Sequence, residues 1–224
     1  MITNKHSITI FALSILFVAC KKEQNQINKF SEARYSIEIT GKWAMPDFTV
    51  PAGVHFTNFT GLVHNNNTSL WKENMTASTG IENVAETGNT SKLLLEIDSI
   101  IQEKKAISLI YFTPPGPVST KTASVYCNSD FSFISFISMI APSPDWFIGV
   151  SKINLYQNER WVNDTLIPLY VHDAGTEDGD IFGYNNPSTS PQENIKLLTK
   201  ENGSVLANGN EYLKPIATLR LKKF

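Results

Sequence analysis

The sequence predicts an all-β protein, an antiparallel β-sandwich with one or two short helices covering a flank. Three observations carry this. Tyr35, Ile37 and Ile39 alternate with Ser36, Glu38 and Thr40, the two-residue period of a half-buried strand. From Ala106 onward, short apolar runs alternate with turn signals, a spacing that favours a sandwich over a barrel or an α/β fold. Helical spacing is confined to the stretch between Gly80 and Gln102.

Taken in order, Met1 to Cys20 reads as a bacterial lipoprotein signal: Lys5 and His6, then apolar Ile8–Ala19, then Cys20 as the lipidated residue. Twelve apolar-rich residues are too few to span a bilayer. Phe17-Val-Ala-Cys20 resembles a lipobox, with Phe17 where Leu is usual. The division expected is residues 1–19 as signal peptide, 20–33 as a flexible polar tether and 34–224 as one domain. Cleavage before Cys20 removes Lys5 and leaves eighteen basic against twenty-one acidic side chains. That balance is too mild to suggest nucleic acid or an acidic membrane surface as a partner. Membrane attachment is expected through the lipid alone. The place expected is the cell envelope, on the outer membrane or cell surface.

Beyond the first strand, Gly41 and Pro46 punctuate the chain. Trp71 is expected in the core. A helix is expected over Gly80–Glu86, with Ile81, Val84 and Ala85 on one side and Gly88 closing it. A second follows the capping residues Asn89-Thr-Ser91; Leu93, Leu94, Ile97, Ile100 and Ile101 share one face, and Lys92, Glu96 and Gln102 face outward. Ile107–Thr113 is a strand stopped by Pro114-Pro-Gly-Pro117. Val118–Cys127 is another, and Asn128-Ser-Asp130 turns the chain into Phe131–Ile140. That run is apolar on both faces, so it is expected at the centre of a sheet. Ile148–Tyr156, Leu166–His172 and Ala217–Leu221 complete the strands, with a turn at Asn158-Glu-Arg160.

Between two of these strands, Pro142 and Pro144 stiffen a short loop that ends at Asp145. Further on, Asp173-Ala-Gly-Thr-Glu-Asp-Gly-Asp180 forms an acidic loop that could meet Asp145 at one end of the sandwich. Calcium takes six to eight oxygen ligands, and these carboxylates supply the right chemistry. Gathered without a cation they would repel one another. The loop is not an EF-hand, because Tyr184 stands where the closing Glu would be. His55, His64 and His172 are scattered, with no spacing suited to zinc. The sequence contains no G-x-S-x-G, no phosphate-cradling glycine loop and no H-E-x-x-H, so no catalysis is expected. Cys127 has no partner once Cys20 is lipidated, and a buried inert thiol is the expectation.

Ser143-Pro-Asp-Trp-Phe-Ile-Gly-Val150 and Asp173-Ala-Gly-Thr176 closely resemble two loops of the spondin (F-spondin N-terminal) domain family. His64, Ser69-Leu-Trp71, Pro191-Gln192 and Leu213-Lys-Pro-Ile216 also fit it. The resemblance runs from about Tyr35 to the C-terminus. It implies a β-sandwich whose loop carboxylates hold a calcium ion, with ligands falling on Asp145, Asp173 and Glu177, the last replacing an Asp. A further family ligand, a strand Glu, has no equivalent and falls near Tyr126; Asp130 is one substitute, and Asp178 and Asp180 are additional candidates. Animal members carry disulfides, which this chain lacks. By analogy the function expected is a monomeric, non-catalytic surface module that binds an extracellular protein or glycan. The alternative is a metal-dependent hydrolase acting on a surface polymer.

Overall fold

A computed structural model describes residues 31–224. The expected signal peptide, Cys20 and nearly all of the tether lie outside the described residues. The chain orders itself as β1 (Glu32–Gly41), β2 (His55–Phe56), β3 (Phe59–His64), α1 (Thr79–Thr87), α2 (Ser91–Gln102), β4 (Ala106–Phe112), β5 (Thr120–Asn128), β6 (Phe133–Ala141) and β7 (Trp146–Asn154). There follow β8 (Tyr156–Gln157), β9 (Arg160–Trp161), β10 (Asp164–Leu169), β11 (Val171–Asp173), β12 (Lys196–Leu197), α3 (Ser204–Ala207) and β13 (Ala217–Lys223). The domain starts slightly earlier than residue 34, because Glu32 and Ala33 already pair with Asn128 and Cys127 on β5.

Two sheets face each other. One has the order β10-β13-β1-β5; the other runs β12-β11-β7-β6-β3-β4, with β2 joining at β6. The alternation in β1 does what its period requires. Tyr35, Ile37 and Ile39 are fully buried between the sheets, where they join Leu219 and Leu221 of β13 and Phe59, Ile134, Phe136 and Ile148 of the larger sheet. β6 is central, flanked by β3 and β7. Its second face is covered by the helical layer: Leu62, Ile137 and Phe147 pack with Trp71, Ile81, Val84, Ala85, Leu93 and Ile97. That second cover explains why β6 is apolar on both faces.

α1 forms over its expected span. The Ser78 side chain caps the Ile81 N–H, and Gly88 ends the helix at φ 70°. α2 forms as expected, with Leu93 and Ile97 buried. Glu96 does not face away, however. Its carboxylate accepts the Ser78 hydroxyl at 2.6 Å and the Gly80 N–H at 2.7 Å, so it binds the free amide end of α1. The run Leu166–His172 is two strands in different sheets. β10 pairs with β13, β11 pairs with β7, and the chain crosses between them at exposed Tyr170. Periodicity within a run does not show which neighbour it pairs with. The Asn158-Glu159 turn joins β8 to β9, both residues with positive φ. Cys127 is fully buried, and burial pushes its thiol up to about 12.

Candidate metal centre

The register of β11 on β7 builds the site. Asp173 stands opposite Trp146, the residue after Asp145, so the two carboxylates meet at one edge of adjacent strands. The Ala174 N–H donates to the Asp145 carbonyl at 3.2 Å and ties the second loop to the first. Within the first loop the Ser143 hydroxyl accepts the Trp146 N–H and donates to the Ile140 carbonyl, closing the turn. Gly149, downstream in the same motif, is needed for close approach: a Cβ there would lie 2.1 Å from the Phe136 carbonyl oxygen on β6. Gly175 serves the acidic loop. Its φ is +72°, and a Cβ would come within 2.6 Å of the Glu193 carbonyl oxygen.

Asp145 is completely buried. Its Oδ2 accepts the Thr176 N–H at 2.7 Å, the Glu177 N–H at 3.1 Å and the Thr176 hydroxyl at 3.3 Å. Its Oδ1 is buried with no hydrogen-bond partner. A buried carboxylate oxygen without a donor is costly, and the cost is relieved by protonation or by a cation. Burial raises the Asp145 carboxyl above its ordinary range, against the pull of the Thr176 and Glu177 amides.

Asp173 is pushed up to about 6, first by burial and then by the charge of Asp145. Its Oδ1 accepts the Gly175 N–H at 2.8 Å, and its Oδ2 lies 3.9 Å from Lys196 Nζ. Glu177 is pushed up to about 7. Burial leads, the Asn186 amide offsets it in part, and the charges of Glu86 and Asp145 add to the rise. Glu86, in the last turn of α1, is raised as well, by burial first, with Glu82 and Asp145 contributing and the Thr176 hydroxyl opposing.

The other expected residues divide. Asp178 and Asp180 line an open bowl of about 500 Å³ together with Asp173, Glu177, Glu193 and Lys196. Asp178 Oδ1 is engaged by the Thr189 hydroxyl at 2.6 Å, so its part there is to hold the loop. Asp130 is not brought to the site. It sits on the exposed turn before β6, whereas Asp145 follows the other end of that nine-residue strand, a separation of about 30 Å at ~3.3 Å per residue. Tyr126 belongs to β5 in the smaller sheet, opposite Arg34, near the same far end. A carboxylate at either position would not reach Asp145.

Among the described residues no three or more His, Cys, Asp or Glu side chains are grouped closely enough to hold a metal ion by themselves. Asp145, Asp173 and Glu177 still offer hard-oxygen donors whose charges act on one another, and the Oδ1 of Asp145 is buried without a partner. They fit calcium if carbonyls and water complete the shell. The histidines serve elsewhere. His64 bonds the Ser135 hydroxyl at 2.8 Å, and His172 bonds Glu73 at 3.1 Å and packs on Trp71 and Phe147. Sequence reasoning missed Glu86. The signal was an acidic residue in the last turn of a helix, where the helix's negative end disfavours one.

Comparison with known proteins agrees with this architecture. The Spondin_N family model matches residues 33–209. Spondin-2 of Rattus norvegicus is 33% identical over 199 residues, covering 83% of this chain and 60% of the relative. Spondin-2 of Homo sapiens is 32% identical over 203 residues, covering 84% and 61%. Spondin-1 of Rattus norvegicus is 32% identical over 180 residues, covering 75% and 22%. The chain thus spans about three fifths of the Spondin-2 proteins and about a fifth of Spondin-1. With a family match across nearly the whole described domain, the chain belongs to the Spondin_N family.

Proposed function

We propose that this domain is a non-catalytic extracellular binding module whose strand-end loops are held together by a calcium ion on Asp145, Asp173 and Glu177. The observation that carries the reading is the fully buried Asp145, with an unpartnered Oδ1 beside a second carboxylate on the neighbouring strand. The ion neutralises charge that otherwise opposes loop closure, and its role is structural. Kinship with the spondins supports an extracellular or surface setting; the partner proposed for the module is a protein or glycan. A lipid on Cys20 would anchor the module to the cell envelope. Asp145 is buried while Asp173 and Glu177 line the open bowl, so the preference for a structural ion over a metal-dependent hydrolase rests on kinship with the spondins.

The test is a thermal melt with calcium. Extracellular calcium modules bind with Kd on the order of 0.1–1 mM. A native-state ligand at ten times its Kd adds about 1.4 kcal/mol, which for a domain of this size is about 3–6 °C in Tm. EDTA should reverse the shift, and magnesium should do less because it holds its water and demands an octahedral shell. Asp145→Ala and Asp173→Ala should each abolish the response. Asp47→Ala, which removes only a surface pair with Lys214, should preserve it. No response at 10 mM calcium by melt or calorimetry would overturn the reading.

A further inference from the structure

The larger sheet ends on β12 and β4, the smaller on β10 and β5. An edge strand presents a row of unpaired N–H and C=O groups, and soluble domains blunt such edges with short length, charge, proline or bulges. Three of these edges are blunted. β12 is 2 residues long, β10 carries Asp164 and Pro168, and the exposed residues of β5 are Thr120, Lys121, Thr122 and Ser124. β4 differs. Its sequence, Ala-Ile-Ser-Leu-Ile-Tyr-Phe, has neither a charge nor a proline. Among the described residues it pairs only with β3, and no other backbone hydrogen bond reaches Ser108–Phe112. The irregularity in its ladder lies at the strand's start, between the Val63 and His64 pairings, so Ser108–Phe112 runs in regular register. On one face of that run Leu109 is 44% exposed and Tyr111 is 47% exposed.

We propose that β4 is a homodimer edge: two copies pair antiparallel through Ser108–Phe112, about a two-fold axis at Ile110, and join their larger sheets into one. The strand is self-complementary about that residue. Leu109 of one copy falls opposite Tyr111 of the other, and the two-fold repeats the pair, so both exposed side chains are covered by an aliphatic–aromatic cross-strand contact. Charge selects the direction. Lys104 and Lys105 precede β4, and the uncharged Thr113-Pro-Pro-Gly116 follows it. Antiparallel pairing sets the lysines of one copy toward the uncharged end of the other, whereas parallel pairing brings lysine onto lysine. The contact uses β4 of both copies and leaves only the blunted edges outside, so association stops at two. So short a paired run makes a small interface, and the dimer is accordingly weak, micromolar or looser. It replaces the monomer expected from the sequence, and two linked modules gain avidity for a repeated partner.

Sedimentation equilibrium of the purified protein over about 1–500 µM measures the association. Leu109→Lys puts a charge into both cross-strand pairs of the dimer and should weaken it about tenfold or more. Leu166→Lys is the control. Leu166 is 65% exposed on β10, the far edge of the other sheet, so the same change there should leave the dimer constant within about twofold. Both positions are exposed, and both variants should melt close to wild type. Amide hydrogen exchange locates the contact: the outward N–H groups of Ser108–Phe112 should exchange more slowly as wild-type concentration rises, but not in Leu109→Lys. A wild type that stays monomeric across the whole range would overturn the proposal. So would a dimer equally strong in Leu109→Lys, or one that forms without slowing exchange in β4.

Discussion

Replacing Asp173 by Asn should stabilise the calcium-free domain above pH 7. In the folded state the Asp173 carboxyl is raised from an ordinary 3.8 to about 6, by burial and by Asp145. A raised pKa means that the native state holds its proton longer than the unfolded chain does. Its contribution to stability is therefore complete below about pH 4 and is lost as pH climbs through about 6. A displacement of about two units is worth about 3 kcal/mol at 1.36 kcal/mol per unit. The lost contact with Lys196, at 3.9 Å and partly solvated, returns little of this. Asn keeps the oxygen that accepts the Gly175 N–H and never pays for ionisation. At pH 8 without calcium, Asp173→Asn should therefore be about 2–3 kcal/mol more stable than wild type, or about 4–12 °C higher in Tm. At pH 4 the two should differ by about 0.5 kcal/mol. His64 and His172 are both held below their ordinary range by burial, and so oppose the trend of wild type alone. The difference between variant and wild type cancels them. Urea denaturation from pH 4 to 8 in EDTA supplies the numbers. Equal stability at pH 8, or a difference that does not grow between pH 4 and 7, would refute the claim that burial and the neighbouring Asp145 make an ionised Asp173 costly without a cation. In saturating calcium the order should narrow or invert, because only wild type binds the ion fully.

Two other outcomes follow from the same physics. Gly149→Ala forces a methyl toward the Phe136 carbonyl in the central pair of strands, and should cost about 3 kcal/mol as β6 and β7 are pushed apart. A melting temperature within a degree of wild type would contradict the packing described. Cells expressing the full chain should hold it in the membrane fraction, and Cys20→Ala should release it; identical soluble partitioning of both would end the lipoprotein proposal.

The sequence by itself determined the local structure. The period of β1, the stop at Pro114-Pro-Gly-Pro117, both helices and the two-faced apolarity of β6 were legible because each follows from side chains a few residues apart. It also marked Asp145 and Asp173, because loop chemistry and family likeness converge on them. Only the tertiary structure decided what those residues meet. The β7–β11 register sets Asp173 beside Trp146 and leaves one oxygen of Asp145 bare. It carries Asp130 to the far end of β6, splits Leu166–His172 between two sheets, and turns Glu96 from a solvent face into the anchor of α1. Glu86 comes from nearly sixty residues before Asp145. Its proximity is a product of helix-on-sheet packing, and no local pattern encodes a contact made by elements so distant along the chain.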